Sequence, residues 1–133
     1  MPETIVVHLA HSWSASFIFF SKFMQPDQVE KWAKGDEFYL QKDFINAFRF
    51  YQKIGNFAKV YFNMGMIFIE IKDYETSVKF FSFSIQADNY LAISHFQIGV
   101  SLFFLQEYLA SKVSFMNALE LLNDNYFINY KTI

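Results

Sequence analysis

The sequence contains no cysteine, two prolines and four glycines among its 133 residues. Without cysteine, the chain can form neither a disulfide framework nor a thiolate metal site. Proline and glycine are the strongest breakers of regular structure, so their scarcity is typical of stacked helices joined by short turns. The four glycines also stand apart from one another, which excludes a glycine-rich phosphate-binding loop.

Charged residues are also few. They make up 18% of the chain, with a formal net charge of −2, whereas about a quarter is usual. Lysine and arginine are outnumbered by acidic residues and are scattered, so no basic patch for nucleic acid is predicted. In their place the chain is 53% hydrophobic and has 19 phenylalanines, enough to build the core of one domain.

The chain repeats itself with a period of 34 residues. Pairs with the same residue type at this distance include Gly65 and Gly99, Tyr74 and Tyr108, Ser77 and Ser111, and Phe81 and Phe115. This period is that of the helix–turn–helix unit of the tetratricopeptide repeat (TPR). The sequence therefore predicts an all-α fold, a truncated TPR solenoid of three helix–turn–helix units.

The predicted TPR domain covers residues 24–123. Its repeats are expected at about residues 27–55, 58–88 and 91–122. Asp27 is the expected N-cap of the first helix. Gly35 stands at the position of Gly65 and Gly99, where two antiparallel helices approach too closely for a Cβ atom.

Residues 1–23 differ from the repeats. No Asp, Glu, Lys or Arg occurs between Ile5 and Ser21, but this run is shorter than the roughly 20 apolar residues of a spanning helix. The start, Met-Pro-Glu-Thr, lacks the positive charge of a secretory signal. We interpret 1–23 as an apolar extension, poorly ordered or a loosely packed helix, with Met24 as a candidate natural start. His8 and His11 would share a helical face, but no acidic residue or cysteine nearby would complete a metal site.

No set of residues predicts catalysis. His95 is the one histidine within the repeats, and no serine or carboxylate stands at a triad-like distance from it. The acidic cluster of Glu70, Asp73 and Glu75 is better explained by solvated helix ends at a turn. We therefore expect a protein that is not an enzyme and has no cofactor or metal.

Two surfaces of a TPR array are candidates for binding. The concave groove is acidic and aromatic here, with Trp32 and Asp36 where a clamp for a peptide carboxylate needs lysine and asparagine; Asn63 alone suits such a clamp. The second surface is the edge formed by the connections between repeats. This edge is expected to be polar, with Lys59, Asp88, Asn89, Asn123, Asn125 and Asn129.

Three strings carry a resemblance to a known family: Lys59-Val-Tyr-Phe-Asn-Met-Gly65, Leu91-Ala-Ile-Ser-His-Phe-Gln-Ile-Gly99 and Asn125-Tyr-Phe-Ile-Asn-Tyr-Lys131. From about Trp32 to Lys131 the chain resembles the N-terminal TPR region of the cytosolic activator subunit of superoxide-producing NADPH oxidases, the neutrophil cytosol factor type with its fungal counterparts. The resemblance implies an adaptor that binds a Rac-type small GTPase in its GTP form. The contacts would come from the inter-repeat loops and an inserted hairpin.

Carried over by position, the resemblance gives these GTPase-binding residues: Ala58, Lys59, Asp88, Asn89, Tyr90, Asn123, Asn125, Phe127 and Asn129. Asp88 and Asn125 keep the residue types of the family, whereas Asn123 replaces an arginine. Losing a charge-assisted contact costs about 1.5–3 kcal/mol, so weaker GTPase binding is expected. Residues 124–133 are expected to be a tail that starts the hairpin-like insert.

The resemblance further implies a cytoplasmic protein that meets a membrane only by recruitment and acts on the NADPH oxidase complex indirectly. By the same resemblance, a chain without the fourth repeat and the downstream modules of the family is not expected to activate an oxidase by itself. Two other interpretations stay open: a generic TPR scaffold that binds a helical peptide in its concave groove, and a truncated fragment without function.

Overall fold

The computed structural model describes residues 24–88 and 91–131, with side chains over 24–88 and 91–123. These residues form six α-helices and no strand: α1 (Pro26–Leu40), α2 (Phe44–Gln52), α3 (Ala58–Glu70), α4 (Tyr74–Ala87), α5 (Ala92–Phe104) and α6 (Tyr108–Lys131). Each helix packs on the next one along the chain. The prediction of an all-α fold built from three helix–turn–helix units is confirmed.

The turn inside each repeat has one conserved conformation. Its middle residue is left-handed in all three copies, with φ of 61° at Lys42, 64° at Lys72 and 65° at Gln106. In the first two repeats an aspartate follows, Asp43 or Asp73, and its carboxylate accepts a hydrogen bond from the backbone N–H three residues later. This N-cap satisfies a donor that the helix itself leaves without a partner.

A glycine in the first helix of each repeat faces an aromatic ring of the second. A Cβ atom added to the glycine would lie within 2.4–2.7 Å of that ring, which is too close for any side chain. The facing pairs are Gly35 with Tyr51, Gly65 with Phe81, and Gly99 with Phe115. The predicted close approach of the two helices is therefore confirmed.

The start of α1 differs from the prediction. Gln25, not Asp27, precedes the helix, and its backbone N–H donates to the Gln28 side chain at 2.8 Å. Pro26 is the first helical residue, a position that suits proline because its fixed φ is helical and no N–H is needed there. Asp27 lies in the first turn instead, with its carboxylate 3.6 Å from the ammonium of Lys31.

The interfaces between repeats differ in chemistry. Between the first and second repeats the core is apolar and aromatic, and contains Trp32, Ala47, Tyr51, Ile54, Val60, Met64 and Ile67. Between the second and third repeats, α4 meets α5 through two buried pairs of serine hydroxyls, each 2.8 Å apart. These pairs are Ser77 with Ser101 and Ser84 with Ser94.

The end of the third repeat also differs from the prediction. Helix α6 continues to Lys131, so residues 124–131 are helical. The prediction that this segment is a tail that starts a hairpin-like insert is corrected accordingly. The physical reason is that no proline or glycine interrupts the sequence from Tyr108 to Lys131. Residues 1–23, with the extension predicted there, and residues 132–133 lie outside the described part of the chain. No described helix is long and apolar enough to cross a membrane.

Candidate protein-interaction surfaces

The first surface is the edge where successive repeats are joined, and we call it the inter-repeat edge. Among the described side chains it contains Asn56, Asp88 and Asn123. Asp88 ends α4 and is half-buried, with its backbone N–H donating to the Ser84 carbonyl oxygen at 2.9 Å. Asn123 is exposed, but it lies within α6 instead of in a loop.

Two residues predicted for this edge are buried. Ala58 and Lys59 open helix α3 and are 1% and 0% exposed. The Lys59 ammonium lies 5.9 Å from the centre of the Phe62 ring. The interpretation of Lys59 as an exposed polar loop residue is therefore wrong: helix α3 begins one residue before it, and the helix turns its side chain inward.

Burial changes the chemistry of Lys59. Removal from water lowers the pKa of its ammonium to about 6, and the nearby Asp88 carboxylate acts in the opposite direction. Lys59 is therefore a buried residue that interacts electrostatically with Asp88, and its side chain is not at the surface where a partner would bind. Nothing in the sequence distinguishes such a lysine from a solvated one, because its burial depends on where the preceding turn ends.

The other predicted contacts are only partly described. Asn89 and Tyr90 lie outside the described residues. Asn125, Phe127 and Asn129 belong to the helical backbone of α6, and their side chains lie outside the described part. Their assignment to a partner surface stays a prediction.

The second surface is the concave groove, which contains a cavity of about 290 Å³. We call it the groove cavity. It lies between α1, α2 and α3 and is lined by Asp36, Tyr39, Leu40, Tyr51, Phe62, Asn63 and Met66. In the described part of the chain, one acidic residue and no basic residue line it. The acidic and aromatic groove expected from the sequence is therefore present.

Asp36 is fixed in the groove cavity by neutral donors. Its Oδ1 accepts hydrogen bonds from the Tyr51 hydroxyl at 2.6 Å and from the Asn63 amide at 3.4 Å. Burial raises the pKa of the Asp36 carboxyl, while hydrogen bonds from Tyr51 and Trp32 act against this rise. Burial, together with the bond to Asp36, also raises the pKa of the Tyr51 hydroxyl. The donors come from all three helices, so this carboxylate joins the first repeat to the second.

A second carboxylate lies near the groove cavity. The Tyr39 hydroxyl donates a hydrogen bond to Glu70 at 3.3 Å. Burial raises the pKa of Tyr39 to about 12, and the negative charge of Glu70 adds to the effect. The hydroxyl therefore stays protonated at neutral pH and keeps Glu70 beside the groove.

The structure also contains a cavity that the sequence did not predict. It measures about 580 Å³ and lies between α2 and α3. Its lining mixes apolar side chains with charges of both signs, among them Lys42, Asp43 and Arg49, so it favours no particular ligand charge. Within residues 24–88 and 91–131, no group of His, Cys, Asp or Glu side chains is arranged to hold a metal ion.

Comparison with known proteins identifies the repeats. Residues 58–89 match the tetratricopeptide repeat model. Solved structures of other proteins are similar to this chain, and two of the three described here are TPR domains by name. The second TPR of Spaghetti bound to the HSP90 peptide SRMEEVD is 21% identical, covers 71% of this chain and 85% of that one, and has a TM-score of 0.66. The N-terminal domain of stress-induced protein-1 from C. elegans is 18% identical, covers 78% of this chain and 91% of that one, and has a TM-score of 0.69.

The third structure, a TPR2B domain of yeast Sti1 in complex with an Hsp70 peptide, is 15% identical over 73% of this chain and 81% of that one, also with a TM-score of 0.69. These likenesses show the fold alone. The chain thus contains TPR repeats, a class of module that typically binds proteins and is not catalytic.

One curated relative is more informative about function. NADPH oxidase activator 1 of Rattus norvegicus is 30% identical over 105 residues. The match covers 78% of this chain but 24% of the relative, so the chain spans about a quarter of the length of that protein.

Proposed function

We propose that this protein is a non-catalytic, cytoplasmic adaptor that binds a Rac-type small GTPase in its GTP form and thereby supports superoxide production by an NADPH oxidase complex. The observation that carries the proposal is the 30% identity to NADPH oxidase activator 1 over 105 residues. It agrees with the resemblance of the strings ending at Gly65, Gly99 and Lys131. The protein would reach a membrane only by recruitment and would not bind nucleic acid.

The proposed GTPase contacts are Asp88, Asn89, Tyr90, Asn123, Asn125, Phe127 and Asn129. Among them, the structure describes the side chains of Asp88 and Asn123. Ala58 and Lys59 are left out because their burial removes them from any partner. Lys59 would instead influence binding through Asp88, whose carboxylate it faces.

The experiment is calorimetric titration of the chain with a Rac-type GTPase loaded with either a non-hydrolysable GTP analogue or GDP. We expect binding to the GTP-analogue form alone. Asn123→Arg restores a guanidinium where the family has one, and it should tighten binding about tenfold, since 1.4 kcal/mol corresponds to a factor of ten.

Asn117→Arg is the matched control. It makes the same chemical change at another exposed position of α6, away from the proposed contacts, and should leave the affinity unchanged. Equal affinity for both nucleotide states, or no binding of either, would contradict the proposal. An equal gain from both arginine variants would show a general charge effect instead of a restored contact.

A second candidate function is peptide binding in the concave groove. The groove cavity of about 290 Å³, with Asp36 inside it, favours this candidate. Substitutions in the groove should then abolish peptide binding and leave the GTPase affinity unchanged, because the two surfaces share no described side chain.

A further inference from the structure

We propose that the groove cavity binds a cationic side chain, an arginine or a lysine presented by a peptide partner, with the Asp36 carboxylate as its counter-ion. The inference rests on the second candidate function, because a peptide has to enter the groove. It adds the chemical class of the residue that the groove selects.

The first argument is the fixed position of the carboxylate. Asp36 lines the cavity, and the bonds from Tyr51 and Asn63 both end on Oδ1. Tyr51 and Asn63 are 1% and 9% exposed, so the groups that hold the carboxylate are themselves held by packing. A carboxylate fixed before binding loses little freedom when a cation arrives, which favours affinity.

The second argument is the charge of the lining. Among the described residues no lysine or arginine lines the cavity, and the hydrogen bonds described for Asp36 come from neutral donors. A half-buried carboxylate without a cation close to it gains most from a cationic ligand, because opposite charges attract more strongly away from bulk water. Glu70, held beside the groove by Tyr39, adds to the negative potential.

The third argument is the aromatic and apolar surface around the carboxylate. Tyr39, which is half-buried at the cavity, supplies an aromatic ring, and the face of a ring attracts ammonium and guanidinium groups. The buried rings of Tyr51 and Phe62 form the apolar wall behind it. Met66 supplies a flexible apolar surface. A long side chain with a methylene stem and a cationic tip meets both kinds of surface, whereas a glutamate or aspartate would meet a like charge.

The same geometry gives the binding a pH dependence. Burial raises the pKa of Asp36, and a bound cation favours the ionised carboxylate. Affinity should therefore be full at pH values above the pKa of Asp36 and fall as the pH drops through it. The titratable groups that face this site are Tyr39 from α1, Tyr51 from α2 and, through Tyr39, Glu70 from α3; both hydroxyls stay neutral throughout this range.

The experiment is a nuclear magnetic resonance titration of the whole chain with three blocked amino acids. N-acetyl-arginine methylamide is the cationic probe, N-acetyl-citrulline methylamide its neutral isostere, and N-acetyl-glutamate methylamide the acidic probe. The Asn63 side-chain amide and the Met66 methyl group report on the cavity. We expect the signals of these two groups to shift saturably with the arginine probe. The citrulline probe should bind at least tenfold more weakly, and the glutamate probe should not bind.

Two variants test the role of the carboxylate. Asp36→Asn keeps the shape of the side chain and removes its charge. It should lower the affinity for the arginine probe at least tenfold, to that of the citrulline probe. Glu37→Gln, next to it but exposed and outside the cavity lining, makes the same change in net charge and should have no effect. If Asp36→Asn unfolds, the wild-type pH series decides, with the Asp36 carboxyl carbon followed in the same spectra.

The outcomes separate the inference from the function on which it rests. Equal binding of arginine and citrulline, or preferred binding of glutamate, would overturn the cationic preference and leave the groove a binding site. No saturable shift with any probe, up to the solubility limit, would overturn both. We expect Asp36→Asn to bind the GTPase as the wild type does, because the groove cavity is not part of the proposed GTPase surface. The test of the groove therefore does not test the first proposed function.

Discussion

At the scale of single residues, one position in each repeat fixes how closely the two helices pack. Gly65 and Gly99 are predictable from the sequence because they are one period of 34 residues apart, and Gly35 stands at the same place in the first repeat, 30 residues before Gly65. The aromatic ring that faces each glycine could be predicted only as a core residue. Its direct contact with the glycine backbone follows from the packing of the two helices and is visible in the structure alone.

Gly65→Ala tests this packing. The new Cβ atom would lie 2.7 Å from the Phe81 ring, which is 0% exposed and has no room to move. Overpacking of this kind costs about 1–3 kcal/mol, partly offset by the better helix propensity of alanine, worth about 1 kcal/mol. The free energy of unfolding in urea should fall. Gln86→Ala, at an exposed position of α4, should stay within about 0.5 kcal/mol of the wild type.

At the left-handed turn residues, a substitution by glycine is expected to stabilise the protein. Lys72 has φ of 64°, a conformation that costs a residue with a side chain about 1–2 kcal/mol. Lys72→Gly removes this cost but gives the unfolded chain more freedom, worth about 0.4–1 kcal/mol, so the protein should become more stable by about 0.5–1 kcal/mol.

Lys79→Gly is the matched control for this prediction, because it makes the same chemical change inside helix α4 at an exposed position. There glycine should destabilise by about 1 kcal/mol. Chemical unfolding of both variants gives the comparison. If both substitutions change the free energy of unfolding in the same direction, the role assigned to the left-handed conformation of Lys72 is contradicted.

The buried Lys59 predicts a dependence of stability on pH. Its pKa is about 6 in the folded state and about 10.4 in an unfolded chain. Between these values the unfolded state binds more protons, so the free energy of unfolding rises with pH, by at most about 1.4 kcal/mol per unit. Lys59→Met should stabilise the protein at pH 7 and remove this rise, as measured by urea unfolding from pH 6 to pH 9. An unchanged pH profile in the variant would mean that Lys59 is solvated.

At the scale of helices, the second and third repeats are joined by polar contacts inside the core. The hydroxyls of Ser84 and Ser94 are 2.8 Å apart and both residues are 0% exposed. From the sequence, Ser77 and Ser111 could be recognised only as equivalent positions of the repeat, and no contact between serines was predicted. The pairing of Ser84 with Ser94 could not be foreseen, because it depends on how α4 and α5 align.

A double-mutant cycle tests this interface. Ser84→Ala or Ser94→Ala leaves one buried hydroxyl without its partner and should cost about 1–3 kcal/mol. The double variant replaces both polar groups and should be nearly as stable as the wild type. Urea unfolding of the four proteins gives the coupling energy. Additive losses would show that the two hydroxyls do not depend on each other.

The last helix shows the limit of prediction at this scale. The repeat pattern places α6 correctly from Tyr108 onward, because Tyr108, Ser111 and Phe115 match residues of α4 at a distance of 34. The sequence predicts Asn123 and Asn125, like Asp88, on the polar edge formed by the connections between repeats. Asparagine and aspartate favour turns but do not stop a helix as proline does, and the backbone continues to Lys131.

At the scale of the whole molecule, the account assigns two ligands to two surfaces. The acidic character of the groove was predictable from Asp36, whereas Trp32, which the sequence analysis placed in the groove, is buried in the core. The groove cavity and the fixing of Asp36 by Tyr51 and Asn63 needed the structure. The inter-repeat edge was predicted from polar residues, and the burial of Lys59 corrects it. What is proposed for this edge rests on Asp88 and on the segment that begins at Asn123.

The most direct test is to map the GTPase on the chain itself. In a nuclear magnetic resonance titration with a Rac-type GTPase carrying a non-hydrolysable GTP analogue, the backbone amides of Asp88 and Asn123 should shift or broaden first. Those of Asp36 and Asn63 in the groove should stay unchanged, and the GDP-loaded GTPase should have no effect. Perturbations confined to the groove, the same changes with GDP, or none with either nucleotide would contradict the account.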